Sequence, residues 1–208
     1  MPIQKHNPYR IVQMFEEEMA LYTGAKYAVA VSSCTDALLM ACSYEKVKDK
    51  KVIIPKRTYI SVPQSIIHAG GVPEFEDISW KGIYQLKPFP IYDSAKRLTS
   101  NMYIPGTHMC LSFHLKKPLC IGKGGMIITD NKDAYDWFIK ARYEGRCFDN
   151  NISYQKDNID IMGWNMYMTP EQAARGLWLL QHYPLHAEDQ IENPDYRDIT
   201  TFPLFKEF

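Results

Sequence analysis

Residues 110–130 read CLSFHLKKPLCIGKGGMIITD, and this stretch decides the fold. Its pattern predicts a short apolar strand, a polar loop that carries Lys116 and Lys117, a glycine-rich turn and a second apolar strand. A lysine amine is almost wholly protonated at neutral pH, because its reference pKa is about 10.4. Desolvation or a neighbouring cation lowers that pKa and allows the amine to form a Schiff base. The residues alone leave two interpretations open, a reactive lysine or a solvated loop with two lysines.

The order of residues in this stretch resembles the cofactor-lysine segment of a known enzyme family. Ser112 and Phe113 precede the lysines, and Gly-x-Gly-Gly then leads into an aliphatic strand that ends in Thr-Asp. This pattern is similar to that of the sugar aminotransferases of the DegT/DnrJ/EryC1/StrS type, which are pyridoxal-phosphate enzymes of fold type I. The family's spacing between serine and lysine selects Lys117 rather than Lys116. The resemblance also implies that Ser112 contacts the cofactor phosphate.

Composition argues against several other classes of protein. The chain has 208 residues, of which 24 are lysine or arginine and 24 are aspartate or glutamate, so its formal net charge is zero. A balanced charge predicts no nucleic-acid partner and no binding to an anionic membrane. No apolar run has the length of a membrane span, and the N-terminus has no signal-peptide core. The five cysteines show neither metal-ligand nor redox-motif spacing. We therefore expect no metal site and a reduced, cytoplasmic protein.

The segment after the first predicted strand, 27–31, is a candidate phosphate site. Residues 32–38 read Ser-Ser-Cys-Thr-Asp-Ala-Leu. Small polar residues that open a helix after a strand offer free backbone N–H groups and the positive end of the helix dipole to an anion. An ordinary serine or threonine N-cap explains the same residues. The family segment is similar, and the resemblance assigns the cofactor phosphate to Thr35 and Asp36. Cys34 stands where the family usually has glycine.

An aromatic residue after the next predicted strand, 51–55, is a candidate for stacking on the cofactor. In the family, the pattern Pro-x-x-Thr-aromatic places a ring against the pyridine face, and Tyr59 takes that position here. An aromatic ring stacks well on an electron-poor pyridinium. A tyrosine that simply packs after a strand is the alternative interpretation.

The acidic motif comes early in this chain. Family members continue through another helix, strand and helix, whereas here 79–88 lead directly to Phe-Pro-Ile-Tyr-Asp-Ser-Ala-Lys at 89–96. We therefore expect one strand–helix unit to be missing. By resemblance, Asp93 is the carboxylate that keeps the ring nitrogen of the cofactor protonated and makes the ring an electron sink. A helix N-cap is the alternative for Asp93. Lys96 stands where the family has glutamine or histidine, near the phenolic oxygen of the cofactor.

Residues 162–174 resemble the family's Gly-aromatic-Asn motif and the helix that follows it. Thr169 as N-cap and Pro170 at the first position predict where this helix begins. In the family the asparagine, here Asn165, reaches the phosphate in the other subunit's active site. Asparagine also suits a turn ahead of a helix. Apolar and aromatic residues flank Asn165 and would form an exposed patch in a monomer. The resemblance thus implies a homodimer with shared active sites.

Alternating predicted strands and helices independently favour a mostly parallel sheet with helices on both faces. Together with the resemblance, this pattern predicts an α/β fold, the large domain of a fold-type-I pyridoxal-phosphate-dependent transferase, over residues 1–183. Residues 184–208 contain three prolines and are predicted to form only a tail. We therefore expect the family's small C-terminal domain to be absent.

The resemblance also implies a reaction. Lys117 would hold pyridoxal phosphate, an amino acid such as glutamate would donate its amino group, and a nucleotide-linked keto-sugar would accept it. The predicted catalytic residues are Lys117 and Asp93. The predicted cofactor-binding residues are Thr35, Asp36, Tyr59, Asp93, Lys96, Ser112, Lys117 and Asn165. One alternative is a reduced homologue that folds and dimerises without turnover. Another is a phosphate-binding α/β protein without covalent chemistry.

Overall fold

The stretch at 110–130 forms two antiparallel strands in the middle of a sheet, paired from Met109–Ile128 to Ser112–Gly125. The computed structural model of the chain describes residues 7, 9–147, 154–190 and 196–206. The helices are α1 (Arg10–Thr23), α2 (Cys34–Tyr44), α3 (Ser61–His68), α4 (Lys132–Ala141) and α5 (Pro170–Gln181). The strands are β1 (Tyr27–Val31), β2 (Lys51–Pro55), β3 (Val72–Glu76), β4 (Tyr84–Leu86), β5 (Ile91–Asp93), β6 (His108–Ser112) and β7 (Gly125–Thr129). Short 3-10 helices span Tyr154–Lys156, Ile199–Thr201 and Pro203–Phe205.

The described strands form a five-stranded sheet and a two-stranded sheet that join into one layer. The order in the first is β1-β7-β6-β5-β4, and β2 pairs with β3 in the second. Ile53 of β2 and Lys87, just after β4, donate to each other's carbonyl oxygen at 2.8 and 3.1 Å. These two hydrogen bonds place β2 next to β4, so the two-stranded sheet extends the first one.

The fold class is the predicted one, but the sheet is mixed rather than mostly parallel. The pairs β1–β7, β7–β6 and β5–β4 are antiparallel, whereas β6–β5 and β2–β3 are parallel. Only residues 87–90 connect β4 to β5. A hairpin can join antiparallel strands through so few residues, whereas parallel neighbours need a crossover of about a dozen residues or more. The short segment that lacks the family's strand–helix unit therefore contributes one antiparallel strand, β4.

Helices cover both faces of the sheet, as predicted. Neighbouring residues of β1 point to opposite faces. Val29 and Val31 belong to the core beneath α2 and α4, whereas Ala28 and Ala30 belong to the core beneath α1 and α5. α5 begins at the predicted position, where the Thr169 side chain accepts a hydrogen bond in a complete capping box. No helix in the described ranges has both the length and the apolar character needed to cross a membrane.

The chain after α5 runs back over the sheet. The Tyr22 hydroxyl donates to the carbonyl oxygen of Pro184 at 2.7 Å, so this part of the chain starts beside α1. Its far end lies beside β3, where Phe205 is buried and meets Phe75 edge to face at a centroid distance of 5.8 Å. The division of the chain at residue 183 into a domain and a tail stays a prediction.

A buried ion pair holds α1, β1 and the end of α4 together. Arg142 is fully buried and Glu16 is 6% exposed. Arg142 Nη1 contacts Glu16 Oε1 and also donates to the carbonyl oxygen of Ala30 at 2.7 Å. The same carboxylate oxygen accepts a hydrogen bond from Ala30 N–H at 2.7 Å. Because both charges lie away from water, each depends on the other and on the β1 backbone.

Removing one charge of this pair should destabilise the chain strongly. Arg142→Met leaves the Glu16 carboxylate buried without its cation, so the free energy of unfolding in urea should fall by about 3 to 5 kcal/mol. The exposed pair Lys132–Asp136 is the control, and Asp136→Asn should change stability by no more than about 1 kcal/mol. The double variant Glu16→Leu/Arg142→Met should recover part of the loss, because it removes the unpaired charge but leaves the N–H and carbonyl of Ala30 without their side-chain partners. A double variant no more stable than Arg142→Met would contradict the assignment.

Candidate active site

A cavity of about 790 Å³ opens at the carboxyl ends of β1, β2, β5 and β6. Ligands of open α/β sheets bind at this edge. The predicted site residues that line the cavity are Thr35, Tyr59, Asp93, Lys96, Ser112 and Lys117. Asp36 and Asn165 are not part of its lining. The structure therefore brings most of the predicted residues to one place, although they come from distant parts of the chain.

The amino end of α2 forms one wall of the cavity. Ser33 caps this helix, and its hydroxyl accepts a hydrogen bond from Asp36 N–H at 3.1 Å. Amides in the first turn of a helix have no acceptor within the helix, so those of Cys34 and Thr35 suit an anion. The Thr35 hydroxyl donates to the Ser61 hydroxyl at 2.9 Å, which adds two polar groups to the same wall. This wall suits a phosphate group.

Asp36 has a supporting position instead of a position in the cavity. Its carboxylate contacts the Ser32 hydroxyl, and its N–H is occupied by the Ser33 cap. A carboxylate in the cavity wall would repel a phosphate. The side chain of Asp36 thus stabilises the turn between β1 and α2 and leaves the wall free of its negative charge.

A close approach of β7 to the start of α2 explains Gly125, the last glycine of the glycine-rich turn. A Cβ atom built on Gly125 would lie 2.3 Å from the carbonyl carbon of Ser33 and 2.5 Å from the nitrogen of Cys34. Both are backbone atoms of the cap, so only glycine fits.

The Cys34 thiol donates to the carbonyl oxygen of Cys110 at 3.6 Å, and burial raises the pKa of this thiol. Cys34 therefore packs as a neutral thiol against β6.

A buried carboxylate, Asp93, lies at the end of β5 with 6% of its surface exposed. Tyr84, its partner across the β4–β5 pair, donates from its hydroxyl to Asp93 Oδ2 at 2.9 Å. The N–H of Ala95 donates to Asp93 Oδ1 at 3.0 Å. The Thr58 hydroxyl lies 2.6 Å from the Tyr84 hydroxyl and donates to it when the Tyr84 proton points at Asp93. Both oxygens of the carboxylate are thus held in place.

The environment of Asp93 acts on its charge in two directions. Burial raises the pKa of Asp93 above its ordinary value, because the ionised carboxylate loses its hydration. The hydrogen bonds from Ala95 N–H and the Tyr84 hydroxyl, and the charges of Lys117 and Lys96, oppose this rise in pKa. The ionised form of Asp93 therefore depends on these neighbours, among them Lys117 in the same cavity.

The two lysines of the loop after β6 differ in environment. Lys117 is half-buried in the cavity, whereas Lys116 is exposed. Lys117 N–H donates to the carbonyl oxygen of His114 at 2.9 Å, so a turn fixes the backbone at the lysine. Lys116, Lys123 and His114 also contribute to the lining, and all three residues are exposed. The loop therefore places one amine inside the cavity and further positive charge at its rim.

The other two predicted cofactor contacts are an exposed ring and a buried cation. Tyr59 has 57% of its surface exposed in the cavity, so its ring is available for stacking. Lys96 is buried, and its Nζ lies 5.3 Å from the ring centroid of Trp80 and 4.7 Å from that of Tyr196. These are cation–π distances. The ammonium group predicted near the phenolic oxygen of the cofactor is thus directed at an aromatic pair.

Asn165 lies outside the cavity of its own chain. Its side-chain N–H group donates to Glu144 Oε1 at 3.0 Å, and its backbone forms a β-bridge with Tyr143. The predicted contact between Asn165 and a phosphate therefore requires the cavity of a second subunit.

Several residues of the site were missed in the sequence: Thr58, Tyr84, Gln190 and Tyr196. Thr58 had a signal, because it is the threonine of the Pro-x-x-Thr-aromatic pattern. The other three had none. Tyr84 reaches Asp93 only through the pairing of β4 with β5, and the last two reach the cavity only because the chain folds back after α5.

The lining groups fit the parts of pyridoxal phosphate. The amino end of α2 and its hydroxyl groups suit the phosphate, and the buried carboxylate of Asp93 suits a protonated ring nitrogen. The amine of Lys117 suits the carbonyl carbon, and the ring of Tyr59 suits the pyridine face. One cavity thus contains a partner for each functional group of the cofactor.

Comparison with known proteins agrees with this geometry. A sequence profile of the DegT/DnrJ/EryC1/StrS aminotransferase family matches residues 4–93 and 104–196. The spore coat polysaccharide biosynthesis protein SpsC of Bacillus subtilis is 27% identical, over 82% of this chain and 56% of SpsC. GDP-perosamine synthase of Escherichia coli O157:H7 is 26% identical, over 82% of this chain and 57% of the synthase. The structure of Helicobacter pylori PseC, an aminotransferase involved in pseudoaminic acid biosynthesis, superposes with a TM-score of 0.69 at 18% identity, over 87% of this chain and 59% of PseC.

The chain spans little more than half the length of these relatives. The superposition confirms the predicted fold class, that of fold-type-I aminotransferases. Pyridoxal phosphate is the cofactor of the family, as the resemblance implied. Since the family profile covers most of the chain, the protein belongs to the DegT/DnrJ/EryC1/StrS aminotransferase family.

Proposed function

We propose that this chain acts as a pyridoxal-phosphate-dependent aminotransferase that moves an amino group from an amino acid such as glutamate to a nucleotide-linked keto-sugar. One observation carries the proposal: the half-buried amine of Lys117 and the buried carboxylate of Asp93 share one cavity with the amino end of α2. A phosphate site, an amine and a carboxylate in this combination match the cofactor and the acid–base chemistry of amino transfer.

Each part of the site has a task in this proposal. When bound, pyridoxal phosphate supplies a protonated pyridine ring that draws electrons from the carbon that loses its proton. Asp93 would hold the protonated ring nitrogen, and Tyr84 would keep the carboxylate oriented. The amine of Lys117 would hold the cofactor and would move protons at the reacting carbon as an acid–base group. The amino end of α2 would bind the phosphate, and Tyr59 would pack on the ring.

The charge at the rim of the cavity favours an anionic substrate. Lys116 and Lys123 bring two positive charges to it, and these attract the diphosphate of a nucleotide. The name of the related GDP-perosamine synthase also refers to a sugar linked to a nucleotide. Both points favour a nucleotide-linked sugar over a neutral sugar as the acceptor.

We also propose a homodimer in which each Asn165 reaches the partner's phosphate site. Asn165 lies outside the cavity of its own chain. Of the apolar residues that flank it, Trp164 and Met166 pack against the core of the same chain and Met168 is buried, whereas Met162 is 87% exposed. A two-fold interface would bury Met162 on both subunits at once. The cytoplasm is the proposed location, since all five cysteines are free thiols.

A second candidate is a homologue that binds the cofactor without turnover. It is favoured by Lys96, which stands where the family has glutamine or histidine and whose Nζ lies against the rings of Trp80 and Tyr196. Rapid conversion of the bound cofactor by glutamate would exclude this candidate.

Lys117 should be the point of covalent attachment. Protein given pyridoxal phosphate should develop the absorbance band of lysine-bound cofactor, and borohydride should fix the cofactor on the peptide that contains Lys117. Lys117→Ala should abolish the band, because the amine is the nucleophile. Lys116→Ala is the matched control and should keep it, since Lys116 is exposed.

Glutamate should then convert the band of the wild-type protein to that of the amine form of the cofactor. Fixation of the cofactor on Lys116 would overturn the assignment. A stable Lys117-bound cofactor that no amino acid converts would favour the second candidate.

The pH dependence of the free energy of unfolding should show how far the Tyr84 hydrogen bond stabilises the ionised form of Asp93. Burial raises the pKa of Asp93, so the folded chain binds more protons than the unfolded chain between the two pKa values. Stability therefore falls as pH rises from the unfolded pKa of about 3.9 through the folded pKa. Tyr84→Phe removes a hydrogen bond that favours the ionised form and should raise the pKa further. The fall in stability between pH 4 and pH 8 should grow by about 1 kcal/mol or more.

The matched control is Tyr92→Phe, because the Tyr92 hydroxyl donates to Gln85 at 3.4 Å on the same strand pair. Urea unfolding at several pH values measures the effect for both variants. Tyr84→Phe also takes away one hydrogen-bond partner of the buried Thr58 hydroxyl; this loss is independent of pH and shifts the whole profile. Parallel profiles for Tyr84→Phe and the wild-type chain would show that Tyr84 does not act on the charge of Asp93.

Mixed dimers should reveal shared sites. Lys117→Ala and Asn165→Ala each impair one component of the proposed composite site. In a mixed dimer, one site carries both defects and the other carries neither, so exchange of subunits should restore cofactor binding at about a quarter of all sites. Each variant mixed only with itself is the control. A monomer in sedimentation at micromolar concentration, or no recovery after proven exchange, would refute the shared site.

A further inference from the structure

The C-terminal segment, which we define as residues 184–190 and 196–206, contributes two residues to the lining of the cavity. Gln190 and Tyr196 both line the cavity, one from each part of the segment. The sequence predicted only a tail here. The position of the segment therefore needs an explanation that the assigned cofactor site does not provide.

One end of the segment is fixed beside Asp93. Arg97 Nε donates to Asp189 Oδ1 at 2.7 Å, and Arg97 Nη2 donates to Asp189 Oδ2 at 2.6 Å. Paired bonds of this kind fix orientation as well as position. The next amide, Gln190 N–H, donates to the carbonyl oxygen of Lys96 at 2.9 Å. A Cβ on Gly82 would lie 2.2 Å from the Asp189 carboxyl carbon, so a glycine makes room for this anchor.

The other end is fixed beyond β2. Ile199 N–H donates to the carbonyl oxygen of Lys56 at 2.8 Å, and Lys56 Nζ lies 3.7 Å from Asp198 Oδ2. The buried ring of Phe205 completes this anchor. Since Lys96 follows β5 and Lys56 follows β2, the two anchors lie on opposite sides of β4.

Between the anchors, Tyr196 faces the cavity. Its ring stacks with that of Trp80 at a centroid distance of 6.3 Å and an angle of 23°, and Lys96 Nζ lies against both rings. Burial, followed by the charges of Asp93 and Tyr59, raises the pKa of Tyr196 to about 12, so its phenol is neutral at physiological pH. Gln190 is also uncharged. Apart from Lys96, whose ammonium group lies against the two rings, the C-terminal segment thus brings neutral polar groups to the cavity, whereas α2 and the lysine loop bring positive ones.

We propose that the C-terminal segment forms the outer wall of the cofactor cavity and that Tyr196 and Gln190 are binding residues for the uncharged, hydroxyl-bearing sugar ring of the substrate. The sugar assignment rests on the proposed aminotransferase function, whereas the wall does not. An aromatic face packs against the C–H face of a pyranose, and an amide can pair with its hydroxyl groups. The positive groups at α2 and in the lysine loop are then available to bind the phosphate groups.

Access to Lys117 tests the wall without any ligand. The reagent is a bulky amine-reactive ester, and peptide mass spectrometry measures acylation of Lys117 relative to the exposed Lys116 in the ligand-free chain. Asp189→Ala removes the anchor at Arg97 and should speed acylation of Lys117 about five- to tenfold. Glu188→Ala is the matched control, because its carboxylate is adjacent and exposed, and it should leave the ratio unchanged. Equal ratios of Lys117 to Lys116 acylation in the wild-type chain and Asp189→Ala would refute the proposal that the C-terminal segment forms a wall of the cavity.

Protection of Lys117 tests the binding residues. UDP-glucose should protect Lys117 from acylation at about tenfold lower concentration than UDP does, because only the former carries a sugar. Tyr196→Ala should remove this difference, while Tyr196→Phe should keep most of it. Equal protection by UDP-glucose and UDP in the wild-type chain would refute the sugar contact. If the wall is confirmed but pyridoxal phosphate does not attach to Lys117, the proposed function fails and the wall stands.

Discussion

The four-residue connection between β4 and β5 constrains the centre of this structure. So short a link forces β4 to run antiparallel to β5, and the register of the pair sets Tyr84 opposite Asp93. The same strand ends where Lys87 bonds to Ile53, which attaches β2 and β3 to the rest of the sheet. One hairpin therefore decides both the continuity of the sheet and the hydrogen bonding of the buried carboxylate.

The buried carboxylate of Asp93 carries a cost in stability. An ionised Asp93 that is 6% exposed loses hydration, and a neutral side chain in its place would avoid this cost. Two hydrogen bonds and two nearby lysines offset part of the loss. A carboxylate at the end of a sheet strand, supported in this way by its neighbours, is typical of a functional site.

The opposite side of the cavity depends on a different constraint, the close packing around β1. Gly125 lets β7 approach the cap of α2, and the ion pair of Glu16 and Arg142 holds the β1 backbone at the edge opposite β7. β1 is thus fixed from both sides just before the chain turns into α2. The phosphate wall is therefore a product of core packing as much as of the polar residues that form it.

The sequence by itself determined the family, the helices on both faces, the start of α5 and the segments that supply Thr35, Tyr59, Asp93 and Lys117. Those features follow from residue spacing and hydrophobic periodicity within short segments, so each segment predicts its own feature without the rest of the chain. Only the tertiary structure decided the mixed pairing of the sheet, the contact of Tyr84 with Asp93, the withdrawal of Asp36 from the cavity and the position of the C-terminal segment. Each of these depends on residues far apart in the chain or on the direction of a side chain, and no local pattern encodes which distant groups meet.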